Sequence, residues 1–140
     1  MLNRRRTRGF TLVEILAVVL LIGLLAVFVV PPFFKKTEKA RAHIAKAQIM
    51  DLDAAVNAFF QDCGRYPEQA EGLSVLLNAP AGMEGKWDGP YCKESQLIDP
   101  WGSAMVYKRP GTRNRAFDII SYGSDGQSGG EGVAADVLNN

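Results

Sequence analysis

Residues 10–30 form a nearly continuous apolar run, broken only by Thr11, Glu14 and Gly23, and no charge occurs from Ile15 to Val30. About 21 residues rising about 1.5 Å each span about 32 Å, close to the thickness of a bilayer's hydrocarbon core. Arg4, Arg5, Arg6 and Arg8 precede the run and favour a cytoplasmic N-terminus. Lys35, Lys36, Lys39 and Arg41 put positive charge on the far flank as well, which weakens that bias. The other reading of such a segment is a cleaved secretory signal. Against it stand the carboxylate of Glu14 inside the apolar stretch and the lack of a small-x-small site where the run ends, at Val29-Val30-Pro31-Pro32. The chain therefore reads as a small membrane-tethered protein.

The charge distribution narrows its partners. A chain of 140 residues is one domain's worth, with a net charge of +1. Without the four leading arginines, 12 basic residues face 15 acidic ones, and the remainder carries about −3. No basic surface remains to hold a nucleic acid. One histidine and two cysteines exclude a zinc finger and a disulfide-dense scaffold.

Beyond Pro32 the pattern turns amphipathic. Ala45, Ile49, Leu52, Val56 and Phe59 recur at steps of four and three, one stripe of a helix whose polar face carries Lys46, Asp51, Asp53 and Asn57. Gly64 and Tyr66-Pro67 predict its end. Pro31 and Pro32 are expected to interrupt or kink it. A short helix is expected over residues 68–77, with Leu73, Leu76 and Leu77 turned inward. Residues 78–100, rich in Gly and Pro, read mainly as loop. Two strands, residues 104–109 and 116–122, flank a polar turn and predict an antiparallel hairpin. Residues 123–140 carry five glycines and too few large apolar side chains for a strand core. Trp101, fixed in a turn by Pro100 and Gly102, and Phe59, Phe60 and Phe117 read as core.

Glu14 is costly at membrane depth and needs a partner. Were the chain cut after Gly9, the new α-amino group of Phe10 would be a cation one helical turn away. In a bundle of identical subunits, Glu14 of one chain would pair with that amine on its neighbour. The alternative is a Glu14 that snorkels to the headgroups. The segment Arg8-Gly9-Phe10-Thr11-Leu12-Val13-Glu14 resembles the class III leader of type IV pilins and type II secretion pseudopilins. In that family a short basic leader ends in Gly, Phe usually follows, and Glu stands fifth after the cut. The resemblance implies cleavage after Gly9 by a prepilin peptidase, N-methylation of Phe10, and extraction from the inner membrane into a helical fibre, with Glu14 recruiting subunits. Pro31 falls where the family carries a helix-loosening proline; Pro32 is a departure.

Further segments are similar to the major pseudopilin of type II secretion, the general secretion pathway protein G family. They are Gly64-Arg65-Tyr66-Pro67, Glu71-Gly72-Leu73, Asp99-Pro100-Trp101-Gly102, Ser121-Tyr122-Gly123-Ser124-Asp125-Gly126, and Gly129-Gly130-Glu131-Gly132 with Ala135-Asp136. With the leader, they cover nearly the whole chain in order. Taken alone, residues 125–136 are a glycine-rich loop with carboxylates at both ends and Glu131 inside, a composition that reads first as a solvated surface loop and only second as a calcium loop. It is not an EF-hand: Gln127 and Gly129 stand where Asp or Asn is expected. The resemblance implies one structural Ca2+, held by the Tyr122 carbonyl, Asp125, the Gln127 carbonyl and Asp136. Ala134 replaces an acid that relatives often carry, which leaves a weaker site or one that Glu131 completes.

A periplasmic head would permit a disulfide between Cys63 and Cys92; the alternative is two thiols that never meet. His43 lies about five helical turns before Cys63, roughly 30 Å away, which excludes a Cys–His dyad on a continuous helix. No carboxylate pair has acid–base spacing, so no enzymatic activity is expected. The expected fold is α+β: a long N-terminal transmembrane and amphipathic helix packed on a small antiparallel sheet with a C-terminal calcium-binding loop, pilin-like in form. Its divisions are a leader (1–9), a membrane or fibre-core helix (10–30), an amphipathic half (31–63) and a periplasmic head (64–140). The resemblance implies a homopolymeric periplasmic pseudopilus that helps drive folded proteins across the outer membrane. Its partners would be copies of itself, the prepilin peptidase, an inner-membrane assembly platform and minor pseudopilins. Two rivals share some features: a type IV or competence pilin of an extracellular or DNA-uptake fibre, and a membrane-anchored calcium-dependent binding module.

Overall fold

The computed structural model describes residues 9–112 and 115–139, with the backbone alone for residues 29–35 and Val133. The leading arginines, Lys35's side chain and the turn residues Arg113 and Asn114 therefore lie outside the described residues. The chain divides into two compact units, Met1–Lys36 and Thr37–Asn140.

Helix α1 (Leu12–Cys63, 52 residues) starts in the first unit. Thr11 caps it: its hydroxyl accepts the Glu14 N–H at 3.2 Å, and its carbonyl accepts the Ile15 N–H at 3.2 Å. A Thr oxygen here satisfies a donor that the first turn would leave orphaned. Every large apolar side chain described from Phe10 to Phe28 is exposed, from 48% at Val18 to 80% at Leu12. Among the described residues no helix is long and apolar enough to cross a membrane. The apolar run of the sequence ends in Val29 and Val30, whose side chains lie outside them. Of the interruption or kink expected at Pro31 and Pro32, the interruption is absent, since the helix runs through both. Proline's fixed φ is itself helical, and each ring removes only one donor from a ladder continued on either side.

In the second unit α1 buries the predicted stripe. Ala45, Ile49, Leu52, Val56 and Phe59 are all inaccessible to solvent. The helix ends where Gly64 donates its N–H to the Phe60 carbonyl at 2.8 Å. Against the stripe pack Leu73, Val75, Leu76, Met105, Tyr107, Phe117 and Ile119. Phe60 departs from expectation: it is 40% exposed and stacks on Tyr66 at 4.4 Å between ring centroids. It sits one position past Phe59, and a helical step of about 100° carries it off the buried face.

The expected helix over 68–77 is instead a 3-10 helix, Gly72–Leu76, which buries Leu73, Val75 and Leu76. Leu77 is only half-buried. A second 3-10 helix, Glu94–Leu97, lies in the central loop. The hairpin is present but shorter than expected: β1 (Val106–Lys108) pairs antiparallel with β2 (Asp118–Ser121), Tyr107 opposite Ile119. A third strand, β3 (Val137–Leu138), pairs antiparallel with the other edge of β2, giving the order β1-β2-β3. This corrects the expectation of no strand after Gly123. Two residues suffice because β2 supplies the buried face, all four of its residues being buried.

Candidate functional site

Gly9, Phe10, Thr11 and Glu14 line one open cleft of about 570 Å³ in the first unit. Gly9 and Phe10 precede the helix and are exposed, so the peptide bond between them lies in non-helical, accessible chain. Thr11 sets that boundary by capping the turn that carries Glu14. The Gly9–Phe10 bond is thus open to solvent, and Glu14 lines the same cleft.

The second constellation lies where β2 leaves the sheet and β3 enters it. A Cβ on Gly123 would stand 3.0 Å from the Ala135 carbonyl oxygen, so the chain after Tyr122 runs against the chain before Asp136. At Gly130, with φ of 81°, a Cβ would fall 2.3 Å from the Ala134 carbonyl oxygen; only glycine fits there. Asp136 bridges the loop: its Oδ2 accepts the Gly129 N–H at 2.9 Å, and its own N–H donates to the Gly129 carbonyl at 3.2 Å. Its other oxygen, Oδ1, is buried without a hydrogen-bond partner. Asp125 Oδ1 accepts the Gln127 N–H at 3.1 Å. The Glu131 side chain is exposed, and its carbonyl accepts the Ala134 N–H at 3.2 Å. Among the described residues no three His, Cys, Asp or Glu side chains come together as a metal cluster.

The Asp99-Pro100-Trp101-Gly102 segment supports this loop. Buried Asp99 accepts the Trp101 and Ser103 N–H groups at 3.0 and 2.8 Å through Oδ1, and the Ser121 hydroxyl at 2.6 Å through Oδ2. Trp101 is only half-buried. Its indole N–H donates to Glu38 Oε2 on α1 at 2.7 Å, so it tethers the turn to the helix by a charge-assisted bond.

Over residues 32–140 the chain matches the family described as type II secretion system (T2SS), protein G. Residues 4–30 match the prokaryotic N-terminal methylation motif. The chain belongs to the type II secretion system protein G family. It is 36% identical to the type II secretion system core protein G of Pseudomonas aeruginosa, over 99% of this chain and 98% of that one. It is 38% identical to the protein of the same name from Vibrio cholerae, over 99% and 95%. Among solved structures it resembles the major pseudopilin from the type 2 secretion system of enterohaemorrhagic Escherichia coli. That match has a TM-score of 0.62 and 28% identity, and covers 79% of this chain and 96% of that one.

In this member of the protein G family the polar residues form a structural set. His43 and Cys63 lie on the same helix, twenty positions and about 30 Å apart. Cys63 and Cys92 are free thiols, so the disulfide that a periplasmic head would permit is not formed in this structure. Both belong to the same apolar cluster. Burial pushes both thiols up from their ordinary pKa, and Asp62 adds to the effect at Cys63. Lys46, Asp53 and Asn57, which read in the sequence as part of the polar helix face, turn toward protein partners. Lys46 donates to the Leu138 carbonyl at 2.8 Å, and Asp53 accepts from Asn139 at 2.7 Å and from Asn57 at 3.1 Å. No periodicity marks Asn139, because its partners lie far away in sequence.

Proposed function

We propose that this chain is the structural subunit of a periplasmic pseudopilus, anchored in the inner membrane before assembly and polymerising through its N-terminal helix. Membership of the protein G family supports the subunit role. The observation that carries the assembly mode is the first part of α1, where every described large apolar side chain from Phe10 to Phe28 is exposed. Such a surface requires lipid or neighbouring helices around it, and the same burial serves both states in turn.

Processing precedes assembly. A prepilin peptidase cuts the Gly9–Phe10 bond and Phe10 is N-methylated; the methylation motif over residues 4–30 supports this. The leading arginines hold the uncut N-terminus in the cytoplasm, with the head in the periplasm. After the cut, Glu14 of one subunit pairs with the Phe10 amine of the next, neutralising two charges that an apolar fibre core would penalise. An assembly platform and minor pseudopilins complete the machine. Mass spectrometry of the N-terminus tests the reading: a mature chain beginning at N-methylated Phe10 is expected. An intact Met1 in assembled material would overturn it.

The loop of residues 122–136 fits a calcium ion. The buried, unpartnered Asp136 Oδ1 is an oxygen that hydrogen bonding leaves unsatisfied. Two carboxylates, Asp125 and Asp136, with the Tyr122 and Gln127 carbonyls, give the all-oxygen donor set that calcium takes. Glu131 lies within the loop and is free to add an oxygen where Ala134 offers none. Bound there, the ion would neutralise Asp125 and Asp136 and cross-link the two ends of the loop. Melting of the full chain with and without chelator tests this. Chelation should lower Tm, and Asp125→Ala should remove the difference; no shift in either would refute calcium binding.

A further inference from the structure

The calcium reading above supplies the premise for a second one. We propose that Asn139 is the positioning residue of the metal loop: by fixing the register of β3 on β2, it holds Asp136 opposite Tyr122.

The register carries the argument. Ile120 pairs with Leu138 and Ser121 with Val137. Continued one step toward the loop, the same pairing sets Tyr122 opposite Asp136; one step the other way, it sets Ile119 opposite Asn139. Contacts at both ends follow that register. Beyond Tyr122, Gly123 lies against the Ala135 carbonyl, and at the far end the Asn139 N–H donates to the Ile119 carbonyl at 3.3 Å. A strand of two residues has almost no ladder of its own to resist slippage. A slip of one residue would send alternate side chains to the wrong face and carry Asp136 away from Tyr122.

Asn139 prevents that slip. It is 4% exposed. Its Oδ1 accepts the Ile119 N–H at 2.9 Å, and its Nδ2 donates to Asp53 Oδ1 on α1 at 2.7 Å. Asp53 is itself held through Oδ2 by Asn57. Lys46 donates to the carbonyl of Leu138, and Arg115 donates to that of Asn139. A shifted strand would strand the Asn139 amide and the Ile119 N–H unpaired in the interior, where no water can replace their partners. Both polar atoms of the Asn139 side chain are engaged by protein, so it acts on the metal through Asp136. Only Val137 and Leu138 separate Asp136 from this lock, and the unpartnered Asp136 Oδ1 stands at its other end. The coupling is reciprocal: if the lock favours calcium, calcium must favour the lock.

Calcium titration calorimetry on the full chain in detergent, with amide hydrogen exchange, tests the proposal. Asn139→Ala should weaken calcium binding by about tenfold or more, the usual effect of removing a group that orients a ligand. Asn139→Asp sets a second carboxylate against Asp53 and should also weaken it. Combining Asn139→Asp with Asp53→Asn reverses donor and acceptor at constant charge and should restore affinity. Glu71→Gln removes the ion pair with Arg65, lowers Tm slightly and should leave affinity unchanged. Calcium should slow exchange at the Ile119 N–H in the unsubstituted chain and not in Asn139→Ala. If Asn139→Ala does not fold, the swapped pair against Asn139→Asp alone decides the matter. Undiminished affinity in Asn139→Ala, or no recovery in the swapped pair, would overturn the positioning role and leave the calcium reading standing. No calcium binding to the unsubstituted chain would overturn both.

Discussion

The two parts of α1 use apolar side chains in opposite ways. Residues 15–28 are apolar around the whole circumference and bury none of their large side chains within the chain, whereas from Ala45 onward a single stripe is fully buried and the remaining faces carry charge. The second pattern completes a core inside one molecule. The first gains nothing from folding the monomer; its burial energy is released only when lipid or another copy surrounds it. Cohesion of the head and cohesion of the fibre are thereby separated along one helix, and each can be altered without the other.

That separation can be broken by experiment. In the full chain in detergent, urea unfolding followed by tryptophan fluorescence reports on the head, because Trp87 and Trp101 both lie there. Phe59→Ala should lower its stability by about 3–5 kcal/mol, the cost of emptying a buried aromatic site. Leu20→Ala should change it by less than about 0.5 kcal/mol, as for an exposed position, and should reduce fibre yield instead. Equal destabilisation by both would break the comparison.

The carboxylates of the two parts differ in the same sense. Among the described residues, all the ion pairs lie in the second unit: Arg41–Glu38, Arg65–Glu71, Arg109–Glu68 and Arg115–Asp53. Glu38 serves the head directly by accepting the Trp101 indole N–H. Trp101→Phe keeps the ring's apolar body and deletes that donor, and should cost about 2 kcal/mol, typical of a hydrogen bond to a charged group. Glu14→Gln should leave head stability unchanged and impair assembly. A Trp101→Phe variant as stable as the parent would show that the tether contributes nothing net.

What was legible in the sequence follows the range of the forces involved. The stripe from Ala45 to Phe59 was readable because helical periodicity is local, and the leader because a carboxylate in an apolar run is conspicuous. The hairpin was readable for the same reason. β3 was not, because a two-residue strand has no periodicity; it exists by pairing with a strand already buried. Lys46 and Asp53 read only as polar-face residues, since their partners, Leu138 and Asn139, lie about ninety positions away. The glycines of the loop were visible, but only the fold shows that Gly130 is required by the Ala134 carbonyl.

The smallest effect sharpens the comparison most finely, because it isolates one ion pair of the head. Arg65 binds both Glu71 oxygens at 2.7 Å, and the Glu68 N–H donates to Glu71 at 2.8 Å. The Arg65 side chain, helped by that backbone donor, holds the Glu71 carboxyl below its ordinary value of 4.5 against the opposing effect of burial. A carboxyl depressed in the folded state is more often protonated in the unfolded chain, so it stabilises the fold above its unfolded pKa. That contribution is lost as pH falls through the depressed folded value. The pair is about one-quarter exposed on each side, so about 1 kcal/mol is expected. Urea unfolding of the parent and of Glu71→Gln should differ by that amount at pH 7 and converge as pH falls below about 4. A constant difference across that range would mean that Glu71 acts through packing and not through its charge.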